Sequence, residues 1–427
     1  MPSCRAALLA AAVVMCAAYA PARADLRPLL SLDDAFQRVV ERHPDLAIHH
    51  QRAAAASARI DRAAQRPAWA VGASIENVLG SGTASGFGAS ELTVSLSSVI
   101  ERGSKQAART VLAERRAAAL SSERDAAYLD LMAETARRYL EAVAANAQAR
   151  LWAQDAARRQ RTLQAAAHRV AAGGASPATR LAAEAALVEA QGRQQRALRA
   201  AELQRLRLAL LWGGREANFL VADALDRLPE IEPLAAILDR LEASPELRVF
   251  AGEQRIREAR LQLARSERVA DLGWEIGVRR PQGERDWALI GSLSLPFGAA
   301  DRAAPAIREA EAELAALALE RDSRTRALEA TLAAAHAQHD AAMAEARQID
   351  DALLPLLTQA EQAARRAYHA GAIDYRDWSA ILDDIAEARE RRLQAALIAH
   401  RALIELQRLT GHALQVGSDD DAPDAQP

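Results

Sequence analysis

Four short stretches of the chain alternate apolar and small polar residues, and each adjoins a far longer run with helical periodicity. The stretches are residues 69–79, 91–100, 271–279 and 287–296. In the second, Leu92, Val94 and Leu96 interleave with Thr93, Ser95 and Ser97. In the fourth, Trp287, Leu289, Leu293 and Leu295 interleave with Ala288, Ser292 and Ser294. A period of two predicts strands with one greasy face and one small polar face. In water the greasy face needs a core; against lipid it needs none, and the polar face is free to line a wet lumen. About ten residues is also the length of a strand that crosses a bilayer at a tilt of about 45°.

The remainder reads as helix. Residues 104–172 contain no glycine or proline and are rich in Ala, Leu, Glu, Arg and Gln, the best helix formers. A single helix of that length extends roughly 100 Å, so it needs partners alongside. Tyr128, Met132, Thr135, Tyr139 and Ala142 follow the 4-3 rhythm of a coiled-coil seam, as do Ala396, Ala399, Leu403 and Leu406. Long helices are expected at about 104–172, 177–212, 302–370 and 374–411, with a kink or break at Pro355.

The chain is a duplication. His43-Pro44-Asp45-Leu46 returns as Ser244-Pro245-Glu246-Leu247, Ser95-Leu96-Ser97 as Ser292-Leu293-Ser294, and Leu211-Trp212-Gly213 as Leu409-Thr410-Gly411. The expected organisation is a first repeat over 25–213, a linker over 214–232 and a second repeat over 233–412, with Gly213, Gly214, Pro229 and Pro233 breaking the helical pattern where the halves meet. Gly174 and Gly371 are expected to end the long helices with positive φ. Ser176-Pro177 and Asp374 are expected to cap the returning helices. An acidic tail over 413–427 is expected to be disordered.

The first 24 residues read as an export signal: Arg5, an apolar run from Ala6 to Ala18, and Ala22-Arg23-Ala24 as a cleavage site. Both cysteines, Cys4 and Cys16, fall within it, and Met15 before Cys16 does not fit a lipoprotein signal. The mature chain would then lack cysteine, which excludes disulfides and thiolate chemistry. The formal charge of −3 gives no reason to expect nucleic acid as a partner. No mature stretch offers 18 uncharged apolar residues, so a membrane can be spanned only by a closed barrel. Four strands cannot close one. Two copies give eight strands and a filled interior; three give twelve and room for a pore. The fold class is mainly α with a membrane β-barrel. Its lipid face would be Trp69, Val71, Leu92, Val94, Leu96, Trp274, Trp287, Leu289 and Leu293, with tryptophans suited to an interfacial belt.

Throughout its mature length the sequence resembles the TolC family of outer-membrane efflux channels. The resemblance rests on Leu32-Asp33-Asp34-Ala35 with His43-Pro44-Asp45-Leu46, the two strand pairs, and Gly173-Gly174-Ala175-Ser176-Pro177. Tyr368-His369-Ala370-Gly371 and Leu406-Gln407-Arg408-Leu409-Thr410-Gly411 complete it. Ile75-Glu76-Asn77, Gly277-Val278-Arg279-Arg280, Gly283 and Asp301-Arg302 look most like the cobalt–zinc–cadmium (CzcC-like) branch. The resemblance implies a homotrimer with a twelve-stranded barrel and an α-helical periplasmic tunnel. It implies docking onto a periplasmic adaptor bound to an inner-membrane pump, as the exit duct for small solutes, among them divalent heavy-metal cations. It also implies a lumen gate at the periplasmic tip formed by Tyr368, Asp374 and Asp377. Gly173, Gly174, Ala175, Gly371 and Ala372 present small surfaces at the tips that a partner hairpin can approach.

No cofactor and no enzymatic activity are expected. The cluster Gly80-Ser81-Gly82-Thr83-Ala84-Ser85-Gly86 joins two strands and opens no helix, unlike a phosphate loop, and no Gly-x-Ser-x-Gly elbow exists. His336 and His339, spaced i, i+3 beside Asp340, have ligand spacing but no third ligand nearby in sequence, so no metal site is expected; His49, His50 and His369 are no stronger. The rival reading is a periplasmic coiled-coil adaptor that never enters a membrane. It explains the signal and the heptads but not four strands with lipid-facing tryptophans.

Overall fold

The computed structural model describes residues 27–222, 225, 227–283, 286–412 and 414. The export signal and nearly all of the acidic tail lie outside the described residues. The elements in chain order are β1 (Leu29–Leu30), α1 (Leu32–Arg42), α2 (Pro44–Ala63), β2 (Ala70–Glu76), β3 (Glu91–Ile100), α3 (Lys105–Ala171) and α4 (Pro177–Leu210). There follow β4 (Leu220–Val221), α5 (Leu234–Asp239), α6 (Pro245–Ser266), β5 (Leu272–Pro281), β6 (Ala288–Ser294), α7 (Ala299–Gln348), α8 (Leu354–Ala370) and α9 (Tyr375–Thr410).

The four long strands form one antiparallel sheet in the order β2-β3-β5-β6, open at both edges. β2 stops at Glu76, short of the expected 79, because Asn77 and Leu79 both adopt φ near 56°, a left-handed conformation that no ladder accommodates. β6 ends at Ser294, two residues before Pro296, which has no N–H to donate. Register places Val71, Leu96 and Ile276 in one row and Ala73, Val94, Val278 and Leu289 in the next. Gly277 sits where a Cβ would lie 2.8 Å from the Val94 carbonyl, so only glycine allows this strand spacing.

Below the sheet the helices form a second layer. α3 is its spine. α2 packs on the upper part of one flank and α4 on the lower part; α6 and α9 take the other flank in the same way, with α7 and α8 beyond them. The sheet joins this layer through an ion cluster: Lys105, the only lysine in the sequence, is buried 2.9 Å from Asp271 and 3.4 Å from Glu267. Asp271 also accepts the Arg102 N–H at 3.0 Å.

The core at mid-height is built from α1, α3, α4, α9 and the inter-repeat segment: Leu30, Val39, Tyr139, Leu140, Leu208, Trp212, Phe219, Leu225 and Ile404. Residues 214–232 are not a bare linker. β4 pairs in parallel with β1, a contact between Leu29–Leu30 and Leu220–Val221 that two-residue strands do not announce in sequence. Arg392 donates to the Leu225 carbonyl at 2.8 Å, and the Nε2 atoms of His400, His339 and His336 lie 3.1, 3.0 and 3.2 Å from the carbonyls of Arg227, Pro229 and Glu232. The histidine pair weighed as metal ligands therefore fastens backbone.

At Pro355 the long helix of the second repeat is interrupted without being broken. A π-helical turn over Ile349–Leu353 opens the ladder just before it, and Pro355 occupies the first turn of α8, where its missing N–H costs least.

Candidate functional site: the periplasmic tip and the strand face

The tip is the end where α3 turns into α4 and α8 into α9. The residue with positive φ after α3 is Gly173 (φ 73°), not Gly174 as expected; after α8 it is Gly371 (φ 82°). Gly174 is small for another reason: a Cβ there would lie 3.3 Å from Cγ of Arg169. Arg169, in the last turn of α3, crosses to the second hairpin. Its Nη1 donates to the carbonyl of Tyr368 at 2.8 Å and to that of Ile373 at 3.3 Å, bracketing the Gly371 turn. Its guanidinium lies over the Tyr368 ring, 4.6 Å from the centroid.

Tyr368 packs beneath, with Trp378 at a ring distance of 5.2 Å, in a cluster with Ala166, Ala183, Ala364, Tyr375 and Leu382. At 1 % exposure it is sealed inside the protomer. The resemblance assigns Tyr368 to the lumen gate; within the chain it fills the space between helices and positions the turn. Asp374 caps α9. Its N–H donates to Asp377 Oδ2 at 3.4 Å, the second half of a capping box. Both carboxylates are exposed, as are Gly173, Gly174, Gly371 and Ala372. Asp384 is exposed too. It lies two turns beyond Asp377 on the same face of α9, and that face differs from the one bearing Trp378, Leu382 and Ile385.

At the opposite end the sheet has two unlike faces. Val71 (78 % exposed) and Leu289 (80 %) share one face with Ile75, Leu92, Val94, Ile276, Val278 and Leu293. Trp69 and Trp274 meet edge to face at 6.3 Å near its helical end. Ile75, Ile276 and Val278 were not among the residues placed on the lipid face from sequence, although the alternation within 271–279 carries the last two. The other face bears Ser74, Ser95, Ser97, Ser292 and Ser294, with Arg279 held by Glu91 at 3.1 Å, Glu76 at 3.5 Å and the Thr93 hydroxyl at 3.2 Å. A sheet with one apolar face and one hydroxylated face matches a membrane wall with a wet interior.

Residues 35–214 match the family model described as Outer membrane efflux protein. The cobalt-zinc-cadmium resistance protein CzcC of Cupriavidus metallidurans is 29 % identical over 327 residues, which cover 75 % of this chain and 77 % of that protein. The chain is similar to the outer-membrane efflux proteins. Among solved structures, CusC superposes with a TM-score of 0.73 at 14 % identity, covering 90 % of this chain and 92 % of that one. The open state of the Neisseria gonorrhoeae MtrE outer membrane channel superposes with a TM-score of 0.69 at 19 % identity, covering 90 % and 89 %. These comparisons support an outer-membrane efflux channel.

One buried charge in the efflux protein lies apart from both ends. Asp155 of α3 is 2 % exposed, and neither carboxylate oxygen has a hydrogen-bond partner among the described residues. Arg159 Nε stands 3.7 Å away, while the same guanidinium donates to the Ser379 hydroxyl at 2.8 Å and to Asp383. Burial pushes the Asp155 carboxyl above the usual carboxylate range, against the pull of Arg159 and Arg193. A raised folded-state pKa gives stability that is complete below the ordinary value of about 3.9 and is lost as pH rises through the raised one. Asp155→Asn stays neutral. It is expected to raise the melting temperature of detergent-extracted protein at pH 8 and to change it little at pH 4. Equal shifts at both pH values would remove the proton from the explanation.

Proposed function

We propose that three copies of the chain close into a twelve-stranded barrel continued by a helical tunnel, a passive exit duct for divalent heavy-metal cations. The observation that carries the closure is a coincidence of edges. The sheet is open at β2 and β6, and the helical layer is open at α2 with α4 on one side and α7 with α8 on the other. These edges belong to the same two portions of chain, so one rotation about one axis pairs β6 with β2 and α7–α8 with α2–α4 of the next copy. An open sheet in lipid would leave both edges unsatisfied, at several kcal/mol per group. The apolar strand face, Trp69 to Leu293, would meet lipid.

The cargo follows from CzcC, whose name records resistance to cobalt, zinc and cadmium. Three copies of Asp374 and Asp377 around the axis would form an acidic ring that attracts cations and holds them weakly. A periplasmic adaptor, joined to an inner-membrane pump, would dock at Gly173, Gly174, Ala175, Gly371 and Ala372. The test begins with outer-membrane protein extracted in detergent. Its native mass is expected near three chains, falling to one on boiling. In planar bilayers Co²⁺ or Zn²⁺ should block the current, and Asp377→Ala should relieve the block. A soluble monomer would overturn the duct; a trimer with the same block in Asp377→Ala would remove the gate alone.

A further inference from the structure

The end of α9 abuts the beginning of α6. A Cβ on Gly411 would lie 3.2 Å from the Pro245 ring, and a guanidinium nitrogen of Arg240 stands 2.7 Å from Nε2 of His412. Leu414, the last described residue, packs against the mid-height core. The sequence runs on through Asp419-Asp420-Asp421 and Asp424 without a basic residue.

Arg115 of α3, with Arg248 and Arg255 of α6, lines a groove where these two helices cross closely. A Cβ on Gly252 there would lie 3.4 Å from Cβ of Ala119. Ala118 and Ser122 form part of the lining, and no carboxylate does among the described residues. All three arginines are exposed, and none makes an ion pair among the described residues. Like charges gathered across a helix contact repel. The groove also opens on the side of α3 that carries the mid-height core. An α-helix returns to the same azimuth after about 18 residues, or five turns. Arg115, Ala118 and Ser122 therefore share a side with Ala133, Ala136 and Leu140, all members of that core. Leu414 leaves the described structure on this side. The distances fit as well. Arg248 and Arg255 lie about 5 and 15 Å along α6 from Pro245. An extended chain carries Asp419 and Asp424 up to about 17 and 34 Å from Leu414.

We infer that the acidic segment from Asp419 to Asp424 seats in this groove of its own chain, with its carboxylates on Arg115, Arg248 and Arg255. Guanidinium and carboxylate match as planar, bidentate partners. The aspartates offset positive charges that would otherwise repel across the joint between α3, of the first repeat, and α6, of the second. Single exposed pairs contribute little, so the seating is a property of the set and is sensitive to salt. Groove and segment belong to one chain, so the inference does not depend on the threefold reading.

The only native cysteines are Cys4 and Cys16, so introduced thiols have no competitor in the described residues. Ala422→Cys is combined with Ala118→Cys in the groove. As a control it is combined with Arg116→Cys, about 200° round α3, in a different groove that also holds Arg59 and Arg62. Detergent-extracted protein is treated with a short bis-maleimide. A denaturing gel separates one-chain from multi-chain products, and mass spectrometry identifies the joined peptides. The Ala118 pair is expected to give a one-chain product, at least about fivefold more than the Arg116 pair, and to lose that excess in about 1 M salt. Arg248→Glu with Arg255→Glu should abolish the product, and adding Asp419→Lys, Asp420→Lys and Asp421→Lys should restore it. Equal yields from the two pairs, or a product indifferent to the arginine exchange, would overturn the inference. A product found only between chains would overturn it too, since the segment would then occupy a neighbour's groove.

Discussion

Val94→Arg is expected to remove the trimer from the outer membrane. Val94 lies at the middle of β3, between Ala73 and Val278 in the ladder, on the apolar face. An arginine at the midplane of a lipid-facing strand costs about 2–4 kcal/mol, and a threefold barrel carries that cost three times. The boiling-sensitive trimer band in outer-membrane fractions should fall at least about tenfold, since 1.4 kcal/mol already suffices for that factor. Ser292→Arg serves as the control. Ser292 sits on the polar face, paired with Glu275, and should assemble normally. If both variants assemble alike, the strand faces are not a lipid wall and a lumen. A soluble coiled-coil protein would ignore either charge.

The second large effect is expected at Arg169. Arg169→Ala removes two charge-assisted hydrogen bonds and the cation–π contact over Tyr368. At roughly 1.5–3 kcal/mol per bond, the attachment of the second hairpin weakens by about 3 kcal/mol or more. That corresponds to a hundredfold or greater rise in the detached population. The channel should still be recovered as a trimer, with a conductance several-fold higher and frequent wide openings. Arg169→Lys should lie between the two, because an ammonium engages without the planar fork and does not stack. Unchanged conductance in Arg169→Ala would mean that the shared aromatic core alone holds the tip.

The strands were legible because a period of two persists over seven to ten residues, and no helical face reproduces it. Their ends were less so. The termination of β2 depends on positive φ at Asn77 and Leu79, which nothing in their neighbourhood signals. Residues 104–172 read as helix because nothing interrupts them. What escaped was contact between residues distant in sequence. Arg169 looks like any solvated arginine near a helix end, since its partners lie 199 and 204 positions away. Its presence also explains why Gly174 is small, a reason that turn chemistry does not supply. Resemblance marks Tyr368 as a gate residue but carries no information on its neighbours; packing against Trp378, not position in the chain, decides which way the ring points. His336 and His339 have ligand spacing, and only the structure reveals that the carbonyls of Glu232 and Pro229 already face their Nε2 atoms.

The π turn at Ile349–Leu353 acts as a phase adjuster. Above it, the inward side of α7 runs Leu332, Ala335, His339, Ala342, Ala346 and Ile349, in alternating steps of three and four. Continued unchanged past Leu353, that rhythm would arrive at Leu356, yet Leu356 is exposed and the next buried positions are Ala364 and Tyr368. One extra residue has turned the lower helix by about 100° relative to the upper. The two ends of a helical span from residue 299 to 370 therefore keep different angular settings, and the setting at the bottom aims Tyr368 at Trp378. Deleting a single residue from this turn would leave every side chain in place along the sequence and point the lower end of the tunnel the wrong way.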